Sequence, residues 1–168
     1  MGRRHMSIVH WAEDNSCGGI GAMTTVFDVA KYILEKMGKP ISTWKLQKLV
    51  YYSQAWSLVW DERPLFDSKI KAWANGPVCP ELYHAHKGRF AITADEIAGN
   101  SENLDDDARE TIDAVIEAYG HFNGQQLSDL THSEDPWRLA RKGVPDNERS
   151  DKEITLESMA EYYSSLHG

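Results

Sequence analysis

Few residues of this 168-residue chain have the types and spacing that chemistry requires. His84 and His86 flank Ala85 close to Cys79. On a helix, positions i and i+2 point about 200° apart, so these two imidazoles do not share a metal ion. Their spacing also matches no structural zinc pattern. His132, Glu134 and Asp135 are the set that can be assembled into an acid–base group. The competing reading is local: His132 ends one helical turn and Asp135 caps the next helix. The sequence contains no G-x-S-x-G elbow, no phosphate-binding Walker loop and no dinucleotide glycine fingerprint. Cys79, between Val78 and Pro80, reads as a buried thiol. The expectation is therefore a protein without catalytic residues, metal or cofactor, which works by binding.

The composition narrows the class of partner. Lys and Arg total 18 against 26 Asp and Glu, a net charge of −8, which excludes a uniformly basic nucleic-acid binder. The charge is unevenly distributed. Residues 23–89 carry 10 basic and 6 acidic side chains, whereas residues 90–168 carry 6 and 18. A basic partner on the C-terminal half is the expectation. Direct nucleic-acid binding is not expected, because Lys31, Lys36, Lys39, Lys45 and Lys48 alternate with core-facing helix positions and no recognition-helix motif surrounds them. The two cysteines, Cys17 and Cys79, cannot build a disulfide framework and point to a reducing, cytoplasmic setting. No apolar run approaches the length of a membrane span.

The elements that position these residues are mainly helical. A single compact domain of about seven helices is expected over residues 23–168, with a short β-hairpin near residues 65–78. Residues 1–22, with Gly18, Gly19 and Gly21, read as a flexible extension or leader ahead of a natural start at Met23. Val26, Val29, Ala30, Ile33, Leu34 and Met37 form the one-sided stripe of a helix, ended by Gly38 and Pro40. Residues 43–60 follow a Ser42 cap and are apolar nearly all round, which belongs at the centre of a core. Ile70, Ala72 and Ala74 alternate with polar neighbours, and Asn75-Gly76-Pro77 reads as the hairpin turn. Pro80 opens a short helix. Thr93 and Glu96 form a capping box. Asp105 or Asp106 starts a helix lined by Ala108, Ile112, Val115, Ile116, Tyr119 and Phe122. Gly124 is read as its breaker, with one short turn around Leu127 and Leu130. Asp135-Pro136 starts a helix to Lys142. Residues 144–153 read as a polar loop before a final helix capped by Thr155.

Several stretches also form a pattern in fixed order. They are Leu46-Gln47-Lys48-Leu49-Val50-Tyr51-Tyr52-Ser53-Gln54-Ala55-Trp56, then Pro64-Leu65-Phe66, then Ala72 to Tyr83 through Asn75-Gly76-Pro77-Val78-Cys79-Pro80, then Leu127 to His132, and Pro136-Trp137. Together they resemble the Panacea antitoxin domain family, which includes SocA-like antitoxins and GepA-type phage-associated proteins. The resemblance runs from about Val26 to Tyr163. It implies a helical cytoplasmic protein of prophages or other mobile elements that neutralises a cognate toxin by direct binding. It also brings in an ATP-dependent protease as a second partner, reached when the antitoxin acts as an adaptor. Two other readings stand beside it: a phage accessory protein that binds a host factor, and an enzyme with a small-ligand pocket near His132, Glu134 and Trp73. Gln47, Lys48, Tyr51, Gln54, Trp73, Asn75, His132 and Trp137 belong to the family pattern and are the partner-binding candidates. They either line a shared groove or satisfy one another as a buried polar network.

Overall fold

In the computed structural model of the chain, residues 24–167 are described; the extension expected over residues 1–22, with Cys17, and Met23 lie outside them. Seven helices are present among the described residues: α1 (Val26–Met37), α2 (Thr43–Trp60), α3 (Pro80–His86), α4 (Asp106–Tyr119), α5 (Gly124–His132), α6 (Asp135–Ala140) and α7 (Leu156–His167). Five short strands accompany them: β1 (Ile41–Ser42), β2 (Ile70–Trp73), β3 (Gly76–Val78), β4 (Ala91–Ile92) and β5 (Glu153–Ile154). The fold is helical-dominant, as the periodicity requires. No helix among the described residues is long and apolar enough to cross a membrane.

Helix α2 is the axis. Fourteen of its 18 residues are buried, so neighbours cover it on every side, and α1, α4, α5 and α7 all pack against it. Ser42 caps it, accepting from the Lys45 N–H at 3.1 Å. Leu46, Leu49, Tyr52 and Ala55 are fully enclosed. Burying each large apolar side chain of this kind contributes roughly 1.5–3 kcal/mol. Around this axis α1 and α4 present conventional one-sided stripes. Val26, Val29, Ala30 and Ile33 of α1 and Ala108, Ile112 and Val115 of α4 face inward.

The chain leaves α2, makes the hairpin β2–β3, and returns through α3. Strands β3, β2 and β5 form an antiparallel sheet in that order. Ala72 faces Pro77, Trp73 faces Gly76, and Ile70 faces Ile154. Pro77 lacks an N–H, and β3 is an edge strand, where that loss is tolerated. Strands β1 and β4 pair separately, Ile41 with Ile92.

Five local expectations are corrected. The hairpin turn is Ala74-Asn75, not Asn75-Gly76-Pro77; Gly76 and Pro77 already belong to β3. Strand β5 lies where a polar loop was expected, because Ile154 and Glu153 pair with β2. Gly124 opens a nine-residue helix instead of breaking one: Asn123 and Gln126 form a capping box. A Cβ at Gly124 would stand 2.9 Å from Trp44 Cβ, so the absent side chain lets α5 approach α2. The preceding helix ends at Tyr119 with Gly120 as its cap, leaving Phe122 outside it. Finally, α6 is capped by Glu134, not Asp135, and stops at Ala140.

Candidate partner-binding site

Seven of the eight candidate residues, all but Tyr51, gather at the hairpin and the chain that enters and leaves it. Gln47 and Gln54 stand seven residues apart, two turns along one face of α2. Each side-chain amide bonds to exposed-backbone geometry as a neighbouring strand would. Gln54 Oε1 accepts the Leu65 N–H at 2.7 Å, and its Nε2 donates to Phe66 O at 2.8 Å. Gln47 Oε1 accepts the Cys79 N–H at 2.9 Å, and its Nε2 donates to Cys79 O at 3.3 Å. One glutamine therefore fixes the entry to the hairpin and the other its exit. Both are buried, so these bonds answer backbone groups that water cannot reach.

Gln47 also fixes a protonation state. Its Nε2 lies 2.9 Å from His86 Nε2, and the bonds to Cys79 assign that amide nitrogen as the donor. His86 Nε2 must therefore accept, which makes the ring neutral with its proton on Nδ1. Burial lowers the His86 pKa, with the Lys48 charge acting in the same direction. His86 is thus part of the frame, whereas His84 is exposed.

A second set of donors holds the hairpin from the opposite side. Three of its carbonyls are gripped in succession. Arg141 Nη1 donates to Ala72 O at 2.8 Å, Trp137 Nε1 to Trp73 O at 2.8 Å, and Ser128 Oγ to Asn75 O. Arg141 Nη2 further donates to Pro145 O at 2.7 Å, tying the hairpin to the chain that leads into β5. Trp137 lies flat against His132, ring centres 3.9 Å apart and 12° from parallel. The Arg141 guanidinium stands 4.9 Å from the Trp137 ring centre. A planar cation against an indole face is attracted by the ring quadrupole.

Tyr51 belongs to a third cluster. Tyr52 and Tyr163 both donate to Glu134 Oε1, at 2.8 and 2.7 Å. Tyr163 has thereby used its proton, so Tyr51, 3.1 Å away, donates to the Tyr163 oxygen. Burial raises the pKa of the Glu134 carboxyl, and the two tyrosine hydrogen bonds pull it back. Burial likewise lifts Tyr51, Tyr52 and Tyr163 above the ordinary phenol range. His132 and Glu134 are engaged in different clusters, so the acid–base pairing considered from the sequence is not assembled.

Of the eight candidates, Gln47, Lys48, Tyr51, Gln54 and Trp137 are buried, Trp73 and His132 are half-buried, and Asn75 is exposed. Trp73 packs edge-on against Tyr83, ring centres 5.1 Å apart, and its Nε1 donates to Asp151 at 3.3 Å. The surface they offer is therefore the hairpin tip, Trp73 to Asn75, flanked by Tyr83, His132 and Asp151. Gln47, Gln54 and Trp137 hold that tip in place. Lys48 is no surface cation: burial pushes its amine down to about 7. Sequence reasoning missed Ser128, Arg141 and the Tyr52–Glu134–Tyr163 group. A Ser in the middle of a nine-residue helix and an Arg beside Lys142-Gly143 carry no local signal. The paired glutamines on an otherwise apolar helix do carry one.

The chain thus presents a hairpin tip tied to a helical frame by buried side-chain hydrogen bonds. The comparisons with known proteins give it a family. The family described as "Antitoxin SocA-like, Panacea domain" matches residues 46–138, the stretch from α2 through the hairpin to α6. Antitoxin SocA of Caulobacter vibrioides (strain NA1000 / CB15N) is 32% identical over 134 residues, 71% of each chain. No solved structure matches the chain. The chain belongs to the SocA-like Panacea antitoxin domain family.

Proposed function

We propose that this protein neutralises a cognate toxin by direct binding, with the hairpin tip as its recognition surface. The observation that carries the reading is the division within the motif. Its buried Gln47, Gln54 and Trp137 hold the hairpin, and Trp73, Asn75 and His132 emerge together at the tip. A half-buried Trp on a rigid support is the type of side chain that dominates binding energy at interfaces. The toxin has a basic face, complementary to the acidic C-terminal half, where 18 acidic side chains stand against 6 basic ones over residues 90–168. The setting proposed is the cytoplasm of a cell carrying the gene on a prophage or similar element. Delivery of the bound toxin to an ATP-dependent protease is a further step of the same reading.

The test is expression of each gene adjacent to this one, alone and together with it. One neighbour should arrest growth alone and be silenced by co-expression, and its product should co-purify with this chain. Neighbours that are all harmless, or a toxic neighbour that this chain neither binds nor silences, would overturn the proposal.

A further inference from the structure

Lys48 plays no part in holding the hairpin. It is 1% exposed, and among the described residues its Nζ has no hydrogen bond and no ion pair. Its side chain passes under the hairpin where only glycine leaves room. A Cβ at Gly76 would stand 2.5 Å from Lys48 Cε, 3.2 Å from its Nζ and 3.1 Å from Thr131 Oγ1. Gly76 also has φ 117°, which disfavours any other residue. The next residue after Thr131 is His132, and its Nε2 is buried without a partner. The other polar groups here are committed, the buried Arg141 Nε excepted. The Thr131 hydroxyl donates to Ser128 O at 2.7 Å, and both terminal nitrogens of Arg141 donate to backbone carbonyls. The Lys48 amine, lying against Gly76, and the His132 ring nitrogen therefore lie idle, the latter a donor in the tautomer that carries its proton on Nε2. An apolar side chain would occupy the Lys48 position without the desolvation cost of an unpaired ammonium. A buried group that weakens the fold is a mark of a site.

We propose that Lys48 and His132 together receive one Asp or Glu carboxylate of the partner protein, entering between the Ala74-Asn75 turn and the C-terminal end of α5. The proposal rests on the toxin-binding reading and names the chemistry of its centre. Asp129 and Asp146 act electrostatically on His132, and Asp151 bonds Trp73, so the rim is acidic and the centre cationic. The complement is a basic partner surface with a single carboxylate at its middle. Such an inversion fixes register and rejects partners that lack the central acid.

Binding a carboxylate raises the Lys48 pKa from about 7. Complex formation then takes up a proton above pH 7, and affinity falls as pH rises from 7 to 9. The other groups facing this corner are His86 of α3, His132 of α5, Arg141 after α6, and the Asp129 and Asp146 carboxylates. Burial lowers both histidines, so neither gains charge as the pH rises through this window.

The experiment is calorimetric titration of the full chain with the purified toxic neighbour's product. Wild type is compared with Lys48→Met and Lys48→Gln, and each is tested against a series of single Asp→Asn and Glu→Gln changes in the toxin. We expect both Lys48 variants to bind roughly 30-fold or more weakly while remaining folded. One toxin carboxylate should cost a similar factor against wild type and almost nothing against either variant. Only the wild-type affinity should fall between pH 7 and 9. Wild type that binds no neighbour's product removes the toxin-binding reading and this proposal with it. Wild type that binds, with no toxin carboxylate coupled to Lys48, overturns the carboxylate receptor alone.

Discussion

Helices α1 and α2 are sequence neighbours that pack on each other, yet they handle polar groups in opposite ways. Helix α1 settles its own ends. Thr25 Oγ1 accepts the Asp28 N–H at 3.3 Å, and Asp28 Oδ2 accepts the Thr25 N–H at 2.9 Å. Its other polar contacts are made from its rim: Asp28 also accepts the Asn100 N–H at 2.8 Å, and Lys31 Nζ donates to Ala94 O at 2.8 Å, while its apolar stripe faces inward. Helix α2 instead carries Gln47, Gln54, Tyr51, Tyr52 and Lys48 into the core. Those side chains reach backbone and side chains as far as 112 residues away. The difference separates two tasks. The peripheral helix caps itself and pins the segment around residues 94–103 from its rim. The central helix also places a loop, and buried side-chain hydrogen bonds do so with a directionality that apolar packing lacks.

The largest expected effect breaks the α2 side of this comparison. Gln47→Leu keeps the volume and removes the partner of the Cys79 N–H, the Cys79 carbonyl and His86. Stability should fall by about 3 kcal/mol, measured by urea unfolding, since buried groups left unpaired cost roughly 1–3 kcal/mol each. A loss near zero would mean that the clamp is incidental.

Lys48→Met tests the buried cation of α2, which gains no partner among the described residues of the free protein. The folded-state pKa of this base is depressed to about 7, so the unfolded chain binds more protons between pH 7 and about 10.4. Wild-type stability therefore rises with pH across that window and lacks this contribution below pH 7. The variant should be the more stable protein at pH 6–7, by a few kcal/mol, with that rise gone. Parallel pH profiles would show Lys48 to be solvated.

Trp137→Phe sharpens the comparison at the hairpin's far side. It keeps an aromatic ring under His132 and deletes the donor to Trp73 O. About 1–2 kcal/mol should be lost, with faster amide exchange at residues 73–76 and no change in α1. The smallest effect belongs to α1: Thr25→Ala removes a cap worth about 1 kcal/mol and should leave hairpin exchange unaltered.

What the sequence disclosed follows the same division. Helices α1 and α4 are legible because their burial follows a 3.6-residue period, and the central place of α2 is legible because it has no polar face. The hairpin's location is legible from alternation at Ile70 and Ala72, but its register is not. Gly76 and Pro77 resemble a turn pair in isolation; Gly76 is required instead by Lys48 lying against it, a contact between residues 28 apart. Strand β5 is two residues long, and only its pairing with β2 makes it a strand. Lys48 illustrates the limit at the site. One lysine beside core positions reads as a solvated charge, and its burial depends on the hairpin folding over it.

The hairpin tip as a recognition surface is tested most directly by the affinity of the toxic neighbour's product for Asn75→Arg, measured beside the variant's melting temperature. Asn75 is exposed, and an exposed substitution of this kind changes stability by only about 0.5 kcal/mol. The expected result is an unchanged melting curve with binding weakened roughly tenfold or more. Wild-type affinity in a fully folded Asn75→Arg protein would contradict the assignment of the tip as the partner-binding surface.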